Sequence, residues 1–219
     1  MSNARKKHAD DANARAQVYR LLATVFRAEP PTSLIDELKS PQFSEVFASM
    51  GHPLGDEFAA TSSVQLSENL AIEYTKIFIG PGSHISPHES IFLKIDGKEG
   101  ELWGEKTVEV KKFIESAGFT YEPRFAGLPD HVSAELEFMQ KLAETEAQLL
   151  SKGEIERADW CLKVQKKFID EHLILWVPEL CDAVIARAES SFYRQMADVA
   201  KAFLAYDAEA INEQLAEAA

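Results

Sequence analysis

The sequence predicts an all-α protein, and three observations favour that fold class. Apolar residues recur at three- and four-residue spacing along most of the 219 residues, which is the period of an amphipathic helix. Helix-stopping residues such as Pro30-Pro31 and Gly118 separate these periodic segments. No segment shows convincing period-two alternation bounded by hairpin turns, so strands have little support.

The individual helices are predicted in chain order from the same pattern. The first runs from Asp10 to Ala28 and ends at Pro30-Pro31. The later predicted helices cover residues 32–39, 42–50, 63–79, 105–117, 132 to about 153, 155–176, 179–189, 191–206 and 208–217. Pro178 is placed at the start of one of them, where the missing N–H of a proline costs nothing. Together these segments predict a helical bundle.

Two stretches do not fit the helical pattern. We call the first, residues 79–104, the crossing segment, and the second, residues 119–129, the hinge. A non-helical connection as long as the crossing segment is uncommon inside a compact domain. Because it contains Phe92 and Trp103, it is too apolar for a freely solvated tail, and we expect it to be ordered. The predicted organisation is an N-terminal helical half over 1–118, the hinge over 119–129 and a C-terminal helical half over 130–219.

The charge balance limits the classes of partner. The chain has 36 acidic and 23 basic residues, which gives a net charge of −13. Nucleic acid and anionic membranes both require a basic surface, so neither is expected as a partner. An acidic surface favours basic segments instead.

The sequence predicts a cytoplasmic location. The N-terminus lacks the apolar stretch of a secretory signal, and the longest apolar run, residues 173–177, is far too short to span a bilayer. The two cysteines, Cys161 and Cys181, are too few for a disulfide framework or a zinc ligand set. Their apolar neighbours predict buried thiols in a reducing compartment.

The segment GLPDHVSAELEFMQKL, residues 127–142, contains the first candidate site. Asp130 follows Pro129 at the start of a predicted helix, where its carboxylate can cap the helix, and a capping carboxylate can also face a cleft. His131 precedes Glu135 by four residues, so the two share a helix face. This pair would either raise the pKa of the imidazole or form a surface ion pair of small energetic value.

A second candidate site is the H-x-x-x-H-E pattern of His84, His88 and Glu89. Two histidines four residues apart on a helix can share a metal, and with His131 these residues give the alternative hypothesis of a small metal-dependent enzyme. Pro87 lies between the histidines and argues against a regular helix there. The nucleotide-binding glycine motifs and the serine nucleophile elbow are absent, so catalysis has no positive support and no cofactor is predicted.

Several short motifs occur in a fixed order along the chain. They are Glu73-Tyr74-x-x-x-Phe78-x-Gly80-Pro81, Ser86-Pro87-x-Glu89-Ser90, Leu102-x-Gly104 and Pro129-Asp130-His131-x-x-x-Glu135-Leu136-x-Phe138-Met139. In this order and spacing the chain, from roughly residue 14 to residue 205, resembles the TorD/DmsD family of redox-enzyme maturation chaperones. The resemblance implies an all-helical, TorD-like bundle in two halves that are joined by a hinge.

The resemblance also implies a non-catalytic function. Chaperones of this family bind the twin-arginine signal peptide, or leader, of a molybdopterin-containing oxidoreductase and sometimes its apo-form. They hold this client in the cytoplasm, assist cofactor insertion and prevent premature export. Weak GTP binding has been proposed in the family, but no residue of this sequence locates such a site. The sequence leaves open a monomer or a homodimer that exchanges halves across the hinge.

Motif matching assigns the implied leader-binding role to particular residues. The candidates are Asp130, His131, Gly104, Pro87, His88 and Ser90, with Ile77 and Phe78 expected to line the same groove and Glu135 expected to tune His131. His88 stands where the family usually has an aromatic residue. A leader with two arginines and an apolar stretch requires a groove with an apolar floor and carboxylates at its rim. Asp130 is the candidate carboxylate, because arginine–carboxylate pairs form strong charge-assisted hydrogen bonds.

Overall fold

The computed structural model describes residues 3–93, 100–121 and 127–217, and nearly all of its secondary structure is helical. The α-helices are α1 (Asn3–Arg27), α2 (Thr32–Leu38), α3 (Pro41–Ser49), α4 (Asp56–Ala60), α5 (Ser63–Tyr74), α6 (Glu89–Phe92), α7 (Glu105–Ser116), α8 (Val132–Lys152), α9 (Ile155–Phe168), α10 (Ile174–Arg187) and α11 (Ser191–Glu217). The described ranges contain no strand, only an isolated antiparallel bridge between His88 and His131. The predicted all-α fold is confirmed.

Two π-helical turns connect α-helices without a break. Thr75–Ile79 extends α5, and Ile169–Leu173 joins α9 to α10. Pro178 therefore lies inside α10, and the predicted helix start at this proline is wrong. Trp176 and Val177 are fully buried beside it, and this packing offsets the roughly 3 kcal/mol that a proline costs inside a helix.

α11 continues through Asp207, where the sequence predicted a break between two helices. Asp207 is fully buried and accepts hydrogen bonds from Arg15 and from the hydroxyl of Tyr19, the latter at 2.5 Å. Arg15 also donates to Glu146 at 3.1 Å and to Gln165, so α1, α8, α9 and α11 meet at one guanidinium. The buried pairing explains why the chain stays helical at a charged residue.

One large hydrophobic core extends across both predicted halves. α1 packs antiparallel to α8, since Arg15 pairs with Glu146 near one end and Arg27 pairs with Glu137 near the other. The bulkiest fully buried side chains come from both sides of the hinge: Trp176, Tyr19, Tyr193, Phe26, Phe168 and Phe192. Residues 94–99 of the crossing segment and 122–126 of the hinge lie outside the described residues. The division into two halves thus stays a prediction.

The structure also bears on two expectations from the sequence, namely the lack of a membrane-spanning helix and the burial of the two cysteines. In the described part of the chain, no helix combines the length and the hydrophobicity that crossing a membrane requires. Cys161 and Cys181 are buried free thiols, as predicted. Burial raises the pKa of Cys161 to about 11 and that of Cys181 to about 12, so both stay protonated at neutral pH.

Candidate functional site

The crossing segment pairs with the residues that precede α8. Glu89 N donates to the backbone oxygen of Asp130 at 2.9 Å, and Val132 N donates to the backbone oxygen of Pro87 at 2.9 Å. These two bonds flank the antiparallel bridge between His88 and His131. Two motifs that lie about forty residues apart in the sequence are therefore side by side.

Asp130 does not cap α8, and the predicted cap is wrong. Its side chain has no exposed surface, and its Oδ2 accepts a hydrogen bond from Ser90 N at 3.1 Å. Its Oδ1 has no hydrogen-bond partner among the described residues. The buried carboxylate thus binds the backbone of the crossing segment. The expectation that it lies exposed at the rim of a groove is wrong.

His131 is the residue that caps α8. Its backbone is extended, and its Nδ1 accepts a hydrogen bond from Ser133 N at 3.1 Å. The imidazole lies edge-to-face against His88, with ring centroids 4.9 Å apart, and His88 Nδ1 lies 3.0 Å from Ser86 Oγ. Both histidines are partly exposed, so this pair belongs to the surface of the two motifs.

Both histidines are held in the neutral form. Burial is the main cause that lowers the pKa of His88, while Asp130 acts in the opposite direction. Burial, followed by the charges of His88 and Arg27, lowers the pKa of His131 to about 4 against the opposing effect of Asp130. The expectation that Glu135 raises the pKa of His131 is wrong, because Glu135 points into the interior.

A buried polar layer lies beneath the histidine pair. Glu135 has no exposed surface and accepts a hydrogen bond from Trp176 Nε1 at 3.2 Å. Burial, and next the neighbouring charge of Glu89, raises the pKa of Glu135 well above its ordinary value. Glu89 is also fully buried, and its carboxylate lies 2.9 Å from His172 Nδ1. This layer joins the crossing segment to α8 and to the π-helical turn before α10.

Sequence reasoning missed His172 and Gly100. His172 lies in the π-helical turn, and its only sequence signal was a histidine between the apolar Ile169 and Leu173. Gly100 packs so closely on the crossing segment that a Cβ there would overlap the backbone oxygen of Ser90. No local pattern predicts a contact of this kind, because the two residues are ten positions apart in the sequence and Gly100 belongs to no helix.

Of three further predicted residues, Ile77 and Phe78 are buried and Gly104 is half-buried. Ile77 and Phe78 are 1% and 6% exposed, so neither lines an open groove. Phe78 instead packs against the rings of Phe26 and Tyr74, because the core surrounds this end of α5. Gly104 precedes α7, where a Cβ would lie only 2.8 Å from the backbone oxygen of Glu101.

The residues of the metal hypothesis do not form a ligand set. His84 is exposed, whereas Glu89 is buried against His172, and His88 contacts Ser86 and His131. Across residues 3–93, 100–121 and 127–217, no group of three or more histidine, cysteine or acidic residues is positioned to hold a metal ion.

An open apolar groove of about 450 Å³ lies between α1, α2 and α3. Its apolar lining includes Val18, Leu21, Leu34, Phe43, Val46 and Met50. Val46 and Met50 are 48% and 52% exposed, which is high for large apolar side chains. Sequence reasoning missed this groove, although the apolar residues of α3 recur at three- and four-residue spacing.

The groove and the histidine pair are connected along α1. Thr24 lines the groove, and Arg27 follows three residues later, about 4.5 Å further along the helix axis. Arg27 forms an ion pair with Glu137 on α8, the helix that His131 caps. The last turn of α1 therefore lies between the groove and the start of α8, where His131 is located.

The fold and the site define a helical-bundle protein in which two distant motifs close over a buried polar layer. Residues 41–182 match the family model described as nitrate reductase delta subunit. This match extends over more than half of the chain, and the chain belongs to that family.

Individual relatives point to the same family. Chaperone protein TorD of Shewanella loihica is 24% identical over 218 residues, which cover 91% of this chain and 93% of the relative. A perchlorate reductase assembly chaperone protein of Dechloromonas aromatica is 32% identical over 101 residues, or 44% of this chain and 42% of the relative. The resemblance to the TorD/DmsD chaperones is thus confirmed, and the chain is a redox-enzyme maturation chaperone rather than an enzyme.

Proposed function

We propose that this chaperone binds the twin-arginine leader and the apo-form of a molybdopterin-containing oxidoreductase in the cytoplasm. It holds the client there, assists cofactor insertion and prevents export until insertion is complete. The observation that carries the proposal is the pairing of residues 87–89 with residues 130–132 through two backbone hydrogen bonds of 2.9 Å. This pairing brings the motif residues together, as a shared binding role requires.

The histidine pair and the groove serve different parts of the leader. The partly exposed His88 and His131 form the surface of the motif region, and Pro87, Ser90 and Asp130 support them from below. The apolar stretch of the leader lies in the groove between α1, α2 and α3, as in helix-in-groove recognition. Continuity along α1 supports this occupant, because the leader carries its apolar stretch directly after its arginines.

A titration with synthetic leader peptides tests the proposal. A peptide with two arginines followed by an apolar stretch is expected to bind more tightly than the same peptide with both arginines replaced by glutamine. Met50→Glu is expected to weaken binding of both peptides, since it places a charge in the groove. Ile72→Glu, on the exposed face of α5 and 61% exposed, is the matched control and should bind as the wild type does.

Equal affinity of the wild type for the two peptides would contradict the proposal and favour a helical adaptor that binds a folded partner. Weak GTP binding, and either a monomer or a domain-swapped homodimer, are further predictions for this chaperone.

A further inference from the structure

The carboxylates of the motif region are closed to a leader arginine. Asp130, Glu89 and Glu135 each have 0% exposure, so none can form an ion pair with a bound peptide in this structure. If the proposed function holds, a different acidic side chain must receive the arginine at the surface.

Glu137 is an accessible carboxylate in a suitable place. It lies on α8, six residues after the capping His131, which is about 9 Å along the helix axis. Its side chain is 41% exposed and forms an ion pair with Arg27, whose side chain is 50% exposed. Arg27 follows the groove-lining Thr24 by about one turn of α1, so its ion pair with Glu137 lies between the groove and the start of α8.

We propose that Arg27 occupies, in the free chaperone, the position that an arginine of the leader takes in the complex. On binding, the leader guanidinium pairs with the carboxylate of Glu137 and Arg27 moves into solvent. The exchange conserves charge and hydrogen bonding at Glu137, because one guanidinium replaces another. A lysine cannot reproduce this pairing equally well, since its ammonium lacks the planar fork of donors that matches a carboxylate.

The exposure of both side chains makes the exchange feasible. An exposed ion pair contributes little net stability, so releasing Arg27 costs little. Arg27 nevertheless competes with the leader, because it is held beside Glu137 at a high effective concentration. Arg27 is therefore expected to reduce the affinity for arginine, and its removal is expected to increase that affinity.

The direction in which Arg27→Ala changes the affinity for the arginine peptide distinguishes this mechanism from a purely structural role of Arg27. The variant is expected to bind the arginine peptide about twofold to fivefold more tightly than the wild type, which corresponds to the loss of an exposed competing pair. Glu137→Gln is expected to bind the arginine peptide about threefold to tenfold more weakly and to leave binding of the glutamine peptide unchanged. The double variant should behave as Glu137→Gln does, because Arg27 competes only for that carboxylate.

Arg157 and Glu154 provide the matched control pair. They also form an exposed ion pair, with side chains 72% and 37% exposed, but they lie at the start of α9 near the opposite end of α8. Arg157→Ala and Glu154→Gln should leave the affinity for both peptides unchanged. Thermal unfolding of each variant verifies that the fold is intact.

This inference rests on the proposed function, and the two can fail separately. If the wild type does not distinguish the arginine peptide from the glutamine peptide, both the proposed function and the exchange of arginines are contradicted. If the wild type does distinguish them but Arg27→Ala binds no more tightly, only the exchange is overturned. An unchanged affinity of Glu137→Gln for the arginine peptide overturns it as well.

Discussion

The start of α8 depends on the protonation state of a single imidazole. Nδ1 of His131 accepts from Ser133 N at 3.1 Å and lies 2.8 Å from Ser133 Oγ, so the cap requires an unprotonated Nδ1. Burial, His88 and Arg27 keep the ring neutral by lowering its pKa to about 4. Because His131 supplies the cap, the carboxylate of Asp130 is free to turn inward and bind Ser90 N.

Replacing His131 by asparagine should remove part of the acid sensitivity of the fold. The pKa of His131 falls from 6.5 to about 4 on folding, so its contribution to stability is complete above pH 6.5 and is lost as the pH falls towards 4. Asparagine also caps helices but does not titrate. Between pH 7 and pH 5 the wild type should lose about 1 kcal/mol more than His131→Asn, allowing for the partial exposure of the ring.

Urea unfolding at the two pH values measures this difference. His88 is retained in both proteins, so the difference between them reports the loss of His131 together with the effect of that loss on His88. Equal losses of stability in the two proteins would mean that His131 does not control the acid response.

Among the elements, the described part of the crossing segment contains only the short helix α6 and contacts its neighbours at several separate points. Ile85 N donates to the backbone oxygen of Ile77 at 2.7 Å, and Glu89 N donates to that of Asp130 at 2.9 Å. Gly100 allows the later part of the segment to lie directly against Ser90. In the described part of the crossing segment, backbone polar groups thus find partners on neighbouring elements, as buried backbone requires.

Asp130→Ala should loosen the crossing segment at one defined amide. Ser90 N loses its acceptor, and an unsatisfied buried N–H costs about 1–3 kcal/mol. Hydrogen exchange should therefore become faster at the Ser90 amide than at the Glu89 amide, whose acceptor is the retained backbone oxygen of residue 130. Leader affinity should fall because the support of the histidine pair is weakened.

Asp130→Asn distinguishes the hydrogen bond from the charge. Asparagine retains an acceptor oxygen for Ser90 N, so this variant should keep both the amide protection and most of the leader affinity. A loss of affinity as large as that of Asp130→Ala would show instead that the negative charge itself is required for binding.

At the scale of the whole molecule, the fold combines a shared core with an acidic surface. The core includes side chains from both sides of the hinge, and the buried cluster around Arg15 joins α1 to α8, α9 and α11. The net charge of −13 is available for long-range attraction of a basic leader. The shared core thus holds the site in place, whereas the charged surface acts on the first encounter between the chaperone and the leader.

The association rate of the arginine peptide should fall as salt rises from low to physiological concentration. The Debye length shortens from about 30 Å at 0.01 M to about 8 Å at 0.15 M, which screens steering by the acidic surface. Stopped-flow measurements with the glutamine peptide provide the control, for which the salt dependence should be weaker. An identical response of both peptides would exclude steering through the two arginines.

Local sequence patterns were sufficient to predict the fold class, most helix positions and the motif residues. Helix formation follows from local periodicity and stop signals, so α7 and α8 end near their predicted limits at Gly118 and Gly153. The predicted helix start at Pro178 and the predicted break at Asp207 are wrong because they relied on local signals alone. Packing around Pro178 and the buried pairing of Asp207 with Arg15 keep both helices continuous.

The directions of the motif side chains, in contrast, follow from how the helices pack. Asp130 turns inward, Glu135 faces Trp176, and Glu137 remains at the surface, although all three carboxylates lie within eight residues of one another. Direction depends on partners that are distant in the chain, such as Ser90 and Arg27. Hydrogen bonding and burial choose among these partners only when the helices are packed, which is why no local pattern could specify them.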